Sequence, residues 1–174
     1  MIQIQTQGHL VLLDAMVELR RRDVEVSLTL IGDGALRTEF EAHAATLGLS
    51  DNVRFLGLVD ANSVAAHIVQ HDLFVLASYQ ECMPRAMLEA IAAGTPVIAS
   101  NVGGIPEILD EAGMVSPGDV IALATRIETL ARDRTLLAIR AEADREAARP
   151  FGYSALQSRY ITYCAALARA HVHA

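Results

Sequence analysis

Short β-branched runs and helix-period apolar patterns take turns along this chain, which predicts βαβ units and a parallel sheet covered by helices on both faces. The first helical pattern runs from His9 to Arg22, with Leu10, Leu13, Val17 and neighbouring Met16 on one side and Asp14, Glu18 and Arg21 opposite. A strand, Val26 to Ile31, ends in the turn Gly32-Asp33-Gly34, whose glycines are read as conformational. The next helix buries Leu36, Phe40, Ala44 and Leu47 and stops at Gly48, which supplies the left-handed residue past a helix end.

Further on, Val53 to Leu56 reads as a strand, Asn62 to Gln70 as a short helix, and Leu73 to Ala77 as an apolar strand suited to the sheet centre. A helix should start near Pro84, since proline is favoured in a first turn and Ala86 to Ala93 propagates well before Gly94. Pro96 to Ala99 is a strand, Gly103-Gly104-Ile105-Pro106-Glu107 opens a short helix, and Gly113 to Val115 is a last short strand. Three helical stretches close the chain: Val120 to Arg132, Thr135 to Ala148 and Tyr153 to Ala170. The Ala/Arg/Glu-rich stretch before Arg149-Pro150-Phe151-Gly152 reads as a solvated helix followed by a break. No internal repeat or low-complexity linker interrupts the pattern, and 174 residues at 52% hydrophobic suit one domain spanning 1–174.

Charge narrows the partners. Fourteen basic residues, all Arg, stand against 21 acidic ones for a net charge of −7, which disfavours a phosphate-tracking surface, so no nucleic acid is expected. With no Trp and 5% aromatic residues, the stacking platforms of single-strand binders are missing too. Cys82 and Cys164 are too few for a disulfide scaffold, and the apolar runs are shorter than a bilayer span. A soluble, cytoplasmic protein is the expectation, with peripheral membrane association left open for a longer enzyme.

In an open parallel sheet, ligands bind outside the carboxyl ends of the strands, where loops enter helix N-termini. The loop from Ser78 to Pro84 has that position, and the helix it feeds offers free N–H groups and a dipole suited to an anion such as diphosphate. It carries Glu81, and Glu89 follows eight residues later, about two turns on. Two carboxylates so spaced can reach different parts of one elongated ligand, each accepting from a pair of hydroxyls such as sugars present. For an isolated pair, the plain alternative is a solvated loop residue and a helix-surface residue. Glu89, however, lies between Leu88 and Ala90-Ile91, where a carboxylate needs solvent or a partner. His67 and His71 have a zinc-compatible spacing but no third ligand, and read as a helix-end surface pair. Ser78 lacks the flanking glycines of a nucleophile elbow.

The chain resembles the retaining glycosyltransferases of the GT-B fold, family 4, also called glycosyl transferases group 1. The resemblance rests on Leu28 to Gly34, Leu47 to Gly57, Glu81 to Ala90, Gly94 to Ser100, and Val102 to Glu107, five motifs in order that extend it from about Gly8 to Leu167. It implies a Rossmann-like α/β fold corresponding to the C-terminal half of a GT-B enzyme. It also implies transfer of a hexose from a UDP-, GDP- or ADP-linked sugar with retention, and no metal or other cofactor. Carried over, Glu81 stands by hydroxyls of the donor sugar as the catalytic position and Glu89 by the ribose hydroxyls. The peptide groups of Cys82, Met83, Pro84, Arg85 and Ala86 lie along sugar and diphosphate, and Leu58 and Val59 after Gly57 touch the base. Gly103, Gly104 and Glu107 shape the cleft, as scaffold or as contact.

Two positions depart from the family. Ile2 and Gln7 stand where an Arg and a Lys usually neutralise the diphosphate, which puts catalysis in doubt because leaving-group stabilisation is largely electrostatic. Cys82 replaces a usual glycine and could crowd the sugar. A GT-B enzyme also works between two halves, and this chain matches only the second. The implied partners are therefore a missing N-terminal domain, a partner chain of a split transferase, or a second copy meeting the last helix, 153–170. That helix carries an apolar face of Leu156, Tyr160, Tyr163, Cys164 and Leu167. A non-catalytic nucleotide-sugar-binding module and an epimerase of the same architecture are the competing readings.

Overall fold

The computed structural model describes residues 8–172, with side chains up to 163. Helices and parallel strands alternate: α1 (His9–Arg21), β1 (Leu28–Ile31), α2 (Arg37–Thr46), β2 (Val53–Gly57), α3 (Ala61–Gln70), β3 (Phe74–Leu76), α4 (Arg85–Ala92), β4 (Val97–Ser100) and β5 (Met114–Val115). Then come α5 (Val120–Arg132), α6 (Arg134–Ala148) and α7 (Tyr153–Val172), with 3-10 turns at Ile105–Glu107, Glu111–Gly113 and Arg149–Phe151. Every element expected from the sequence is present, most displaced by a residue or two at their ends. The predicted first-turn position of Pro84 shifts outward: it is the N-cap of α4, with φ −79° and ψ 90°.

Among the described residues the sheet is in two parts. β1 pairs with β2 in parallel, with Leu28 opposite Val53 and a register shift after Leu30, and β4 lies between β3 and β5, also in parallel. α1 joins the two parts by burying different sides against each. Leu13 and Met16 pack with Ala44, Leu49 and Val53, whereas Val11, Ala15 and Leu19 pack with Ala77, Ile98, Val115 and the buried face of α5. On the other face, Met87, Ala90 and Ile91 of α4 meet Val97, Ala99 and the buried Ile105, Ile108 and Leu109. Among the described residues β3 is paired on one edge only and Phe74, Val75 and Leu76 are half-buried, while all four residues of β4 are buried.

The reading of the residues before Arg149 as a solvated helix and a break holds for most of α6, with two side chains excepted. Arg140 and Asp144, one turn apart on α6, are both buried and form an ion pair of 2.7 Å. Asp144 accepts the backbone N–H of Val97 at 2.9 Å, and Arg140 also reaches Asp110. Burial pushes the Asp144 carboxyl above its ordinary range, against the pull of the Val97 N–H and the Arg140 charge. Asp110 is driven up by partial burial too, but the Arg140 hydrogen bond and the Gly113 N–H bring it below the usual range. Composition marked this helix as polar; only packing sets these two side chains inward. Because removing one partner strands a buried charge, Asp144→Ala is expected to lower the unfolding free energy in urea by about 3 kcal/mol. A loss within experimental error would show that the pair does not hold β4.

Candidate functional site

Within each part of the sheet the described strands run in parallel; residues after β1, β2 and β3 line one cavity, and the turn after β4 lies against the loop after β3. After β1, Gly32 takes a positive φ of 133° and donates its N–H to Gly57 O at 2.9 Å. The conformational role expected of the Gly32-Asp33-Gly34 turn is thus borne out at Gly32. Gly57 has φ 71°, and the chain turns there into an exposed Leu58, a half-buried Val59 and Asp60, which caps α3 by accepting from Asn62 and Ser63 N–H. The Ser63 hydroxyl and these backbone donors hold the Asp60 carboxyl below the usual range.

After β3, the loop from Ser78 to Pro84 is fixed from two directions. The buried Ser78 hydroxyl donates to Glu81 Oε1 at 2.9 Å, so the half-buried carboxylate has a set position. From the neighbouring turn, Gly104 N–H donates to Cys82 O at 3.2 Å. A Cβ on Gly103 would lie 1.6 Å from Glu81 O, and one on Gly104 2.5 Å from Cys82 O. Both glycines exist to let this backbone come close. Of the two roles left open for them, the scaffold is the one the contacts support.

α4 then begins without a side-chain cap. The N–H groups of its first turn are available to solvent or a ligand, and its dipole favours negative charge there. Arg85 is exposed at the first helical position and Glu89 is exposed one turn later, while Met87, Ala90 and Ile91 turn inward. The difficulty of a carboxylate in so apolar a stretch is thereby resolved by solvent. Among the described residues neither Arg85 nor Glu89 has an ion-pair partner. A cavity of about 1180 Å³ opens over these groups. Glu81, Glu89, Leu58, Val59 and the run 82–86 all line it, whereas Gly57, Gly103 and Gly104 stand behind the lining. Cys82 and Met83 are exposed within it.

Ser78 was legible only as a failed nucleophile; its placing of Glu81 needed the three-dimensional loop. The pair His67 and His71 is not the surface pair expected. His71 is half-buried, donates from Nδ1 to His67 O at 2.6 Å, and in its neutral form accepts at Nε2 from the Thr29 hydroxyl at 2.9 Å. Among the described residues no group of three or more His, Cys, Asp or Glu is arranged to hold a metal ion. No helix among the described residues is long and apolar enough to cross a membrane. Ile2 and Gln7, the two departures from the family's basic positions, lie outside the described residues, as do the side chains of Cys164 and Leu167.

The sequence profile described as glycosyl transferases group 1 matches residues 1–133. A sulfoquinovosyl transferase of Arabidopsis thaliana is 30% identical over 141 residues, covering 78% of this chain and 27% of that protein. A glycogen synthase of Mycobacterium tuberculosis is 33% identical over 135 residues, covering 76% and 33%. Among solved structures, the Anabaena protein Alr3699/HepE in complex with UDP superposes with a TM-score of 0.81 at 25% identity, over 92% of this chain and 45% of that one. Sucrose-phosphate synthase of Thermosynechococcus elongatus does so with 0.74 at 28%, over 90% and 42%. The chain spans about a third of the length of these curated relatives. By its motifs, its α/β fold and these likenesses, the chain belongs to the group 1 glycosyltransferases and has the fold of a GT-B domain.

Proposed function

We propose that this chain is the donor-binding domain of a retaining glycosyltransferase that moves a hexose from a nucleotide diphosphate sugar to an acceptor. One observation carries the reading. The uncapped start of α4, the positioned carboxylate of Glu81 and the exposed carboxylate of Glu89 face one cavity, beside the Leu58-Val59 loop. A nucleoside diphosphate fits this order: base at Leu58 and Val59, ribose hydroxyls at Glu89, diphosphate at the first-turn N–H groups and Arg85, sugar at Glu81. A related protein of the same fold was solved with UDP. In the transfer, the bond from the anomeric carbon to the diphosphate breaks, a bond to an acceptor hydroxyl oxygen forms on the same face, and the hydroxyl proton passes to the departing diphosphate. The negative charge that collects on the diphosphate meets the α4 dipole and Arg85, and no metal enters this reading. The acceptor and the rest of the cleft belong to a part of the enzyme that this chain does not span.

Titration with UDP, GDP and ADP, followed by amide shifts, should perturb Leu58, Val59 and residues 81–89 at millimolar ligand. Glu89→Ala should weaken a nucleoside diphosphate and its sugar conjugate alike by about tenfold, while Glu81→Ala should weaken only the conjugate, as expected for losing hydrogen bonds to a charged group. Equal losses for both ligands with both variants would overturn the assignment, and binding without transfer by a completed enzyme would favour a non-catalytic module.

Gly103→Ala must displace the Glu81 backbone, since its Cβ would otherwise overlap the Glu81 carbonyl. It is expected to cost about 2 kcal/mol in stability and to abolish the distinction between diphosphate and sugar conjugate. Calorimetry on the folded variant reads the second effect separately from the first.

Among the side chains described on α7, Leu156, Tyr160 and Tyr163 are all exposed. We read this face as a contact for the missing half or a second copy. Light scattering should find association in the wild type and its loss in Tyr160→Glu, and a strictly monomeric wild type would count against the second copy.

A further inference from the structure

Leu58 and Val59, where the base is placed, carry apolar side chains. The Asp60 carboxylate that follows is taken up at the start of α3, where it accepts from the Asn62 and Ser63 N–H groups and the Ser63 hydroxyl. What Leu58 and Val59 offer the hydrogen-bonding edge of a base is therefore their main-chain N–H and C=O groups. A peptide group is planar and has no rotamers with which to adapt, so its aim is set by the backbone on which it stands. That backbone is the turn at Gly57.

Two elements hold the turn. From the β1 side, Gly32 N–H donates to Gly57 O at 2.9 Å. From α2, the half-buried side chain of Arg37, the first residue of that helix, reaches beneath it. Arg37 Nη2 donates to Phe55 O at 3.1 Å, while Nη1 lies so close to Gly57 that a Cβ there would stand 2.5 Å from it. Arg37 Nε donates to Glu41 Oε1 at 2.7 Å, which fixes the plane of the guanidinium. Between these two contact points the ladder slips: Leu30 lies opposite Phe55 and Ile31 opposite Gly57, so Leu56 is passed over. The guanidinium thus spans an irregular residue, with one nitrogen on the carbonyl before it and another against the residue after it. Such irregularities re-aim the chain that leaves a strand. A rigid planar fork can hold two points of the backbone at once, which a single ammonium cannot. Arg37 does not line the cavity, so whatever it does for a ligand there it does through the turn.

We propose that Arg37 is a positioning residue for base recognition: by holding the chain across Leu56 it sets the direction in which Leu58 and Val59 present their peptide groups. This role rests on the reading of the cavity as a nucleoside diphosphate site.

Calorimetry on the wild type and Arg37→Ala compares two ligands. One is the tightest binder among UDP, GDP and ADP; the other is ribose 5-diphosphate, which keeps the hydroxyls and the diphosphate and has no base. Arg37→Ala should weaken the first about tenfold and leave the second unchanged, a split that a general loosening of the fold would not give. Without ligand, the amides of Leu58 and Val59 should shift and exchange faster in the variant, and those of residues 85–89 should not. Arg37→Lys, which keeps the stem and the charge, should show the same split at smaller size, and it decides the matter if Arg37→Ala does not fold. Equal loss for both ligands, unchanged affinity for the nucleoside diphosphate, or unmoved amides at Leu58 and Val59 overturns the proposal and leaves the donor reading standing. A wild-type chain that binds no nucleoside diphosphate overturns the donor reading, and the positioning role with it.

Discussion

The arrangement depends on β4. Among the described strands it alone is paired along both edges and buried along its whole length, with α5 against one face and α4 against the other. Its first residue is held by a buried carboxyl: Asp144 reaches from α6 to the Val97 N–H, and Arg140 beside it extends the network to Asp110, ahead of β5. Charges so deep are tolerated only when paired and hydrogen-bonded, and α6 supplies both members of the pair at i and i+4. That seat sets the level of the turn after β4. The turn in turn determines how near Gly103 and Gly104 come to the loop after β3.

The candidate site is therefore a consequence of packing at one remove. Glu81 is not placed by its own strand. The Ser78 hydroxyl beneath it and the two glycines of the neighbouring turn place it, and each contact needs a small residue at one point in space. α4 adds the electrostatic part through its uncapped first turn, while its buried face fixes the direction in which that turn points. Specificity and field thus come from separate elements that meet at the carboxyl ends of parallel strands, as open α/β sheets arrange it.

Much of this was legible beforehand. Every helix and strand announced itself by period, and the glycines after β1 and β2 announced their turns, because burial on one or both faces leaves a repeat in the chain itself. Of the residues named from the motifs of the family, Glu81, Glu89, Leu58, Val59 and the run 82–86 line the cavity, and Gly57, Gly103 and Gly104 do not. Three things could not be read from the sequence. The inward turn of Arg140 and Asp144 was hidden, since composition records polarity and not direction. The anchoring of Glu81 by Ser78 was hidden, since a serine three residues before a glutamate carries no pattern. The tie of His71 to Thr29 spans 42 positions and joins an α3 end to β1.

The sequence by itself determined the fold class, the order of elements and the membership of the group 1 glycosyltransferases, because periodicity, turn residues and motif spacing are properties of neighbouring positions. Only the tertiary structure decided that, among the described strands, β4 is the one paired along both edges and buried throughout. It also decided that Gly103 and Gly104 serve the backbone of another loop, and that a polar helix hides the ion pair holding β4. Each of these is a contact between segments far apart in the chain, and its energy depends on what lies across the gap.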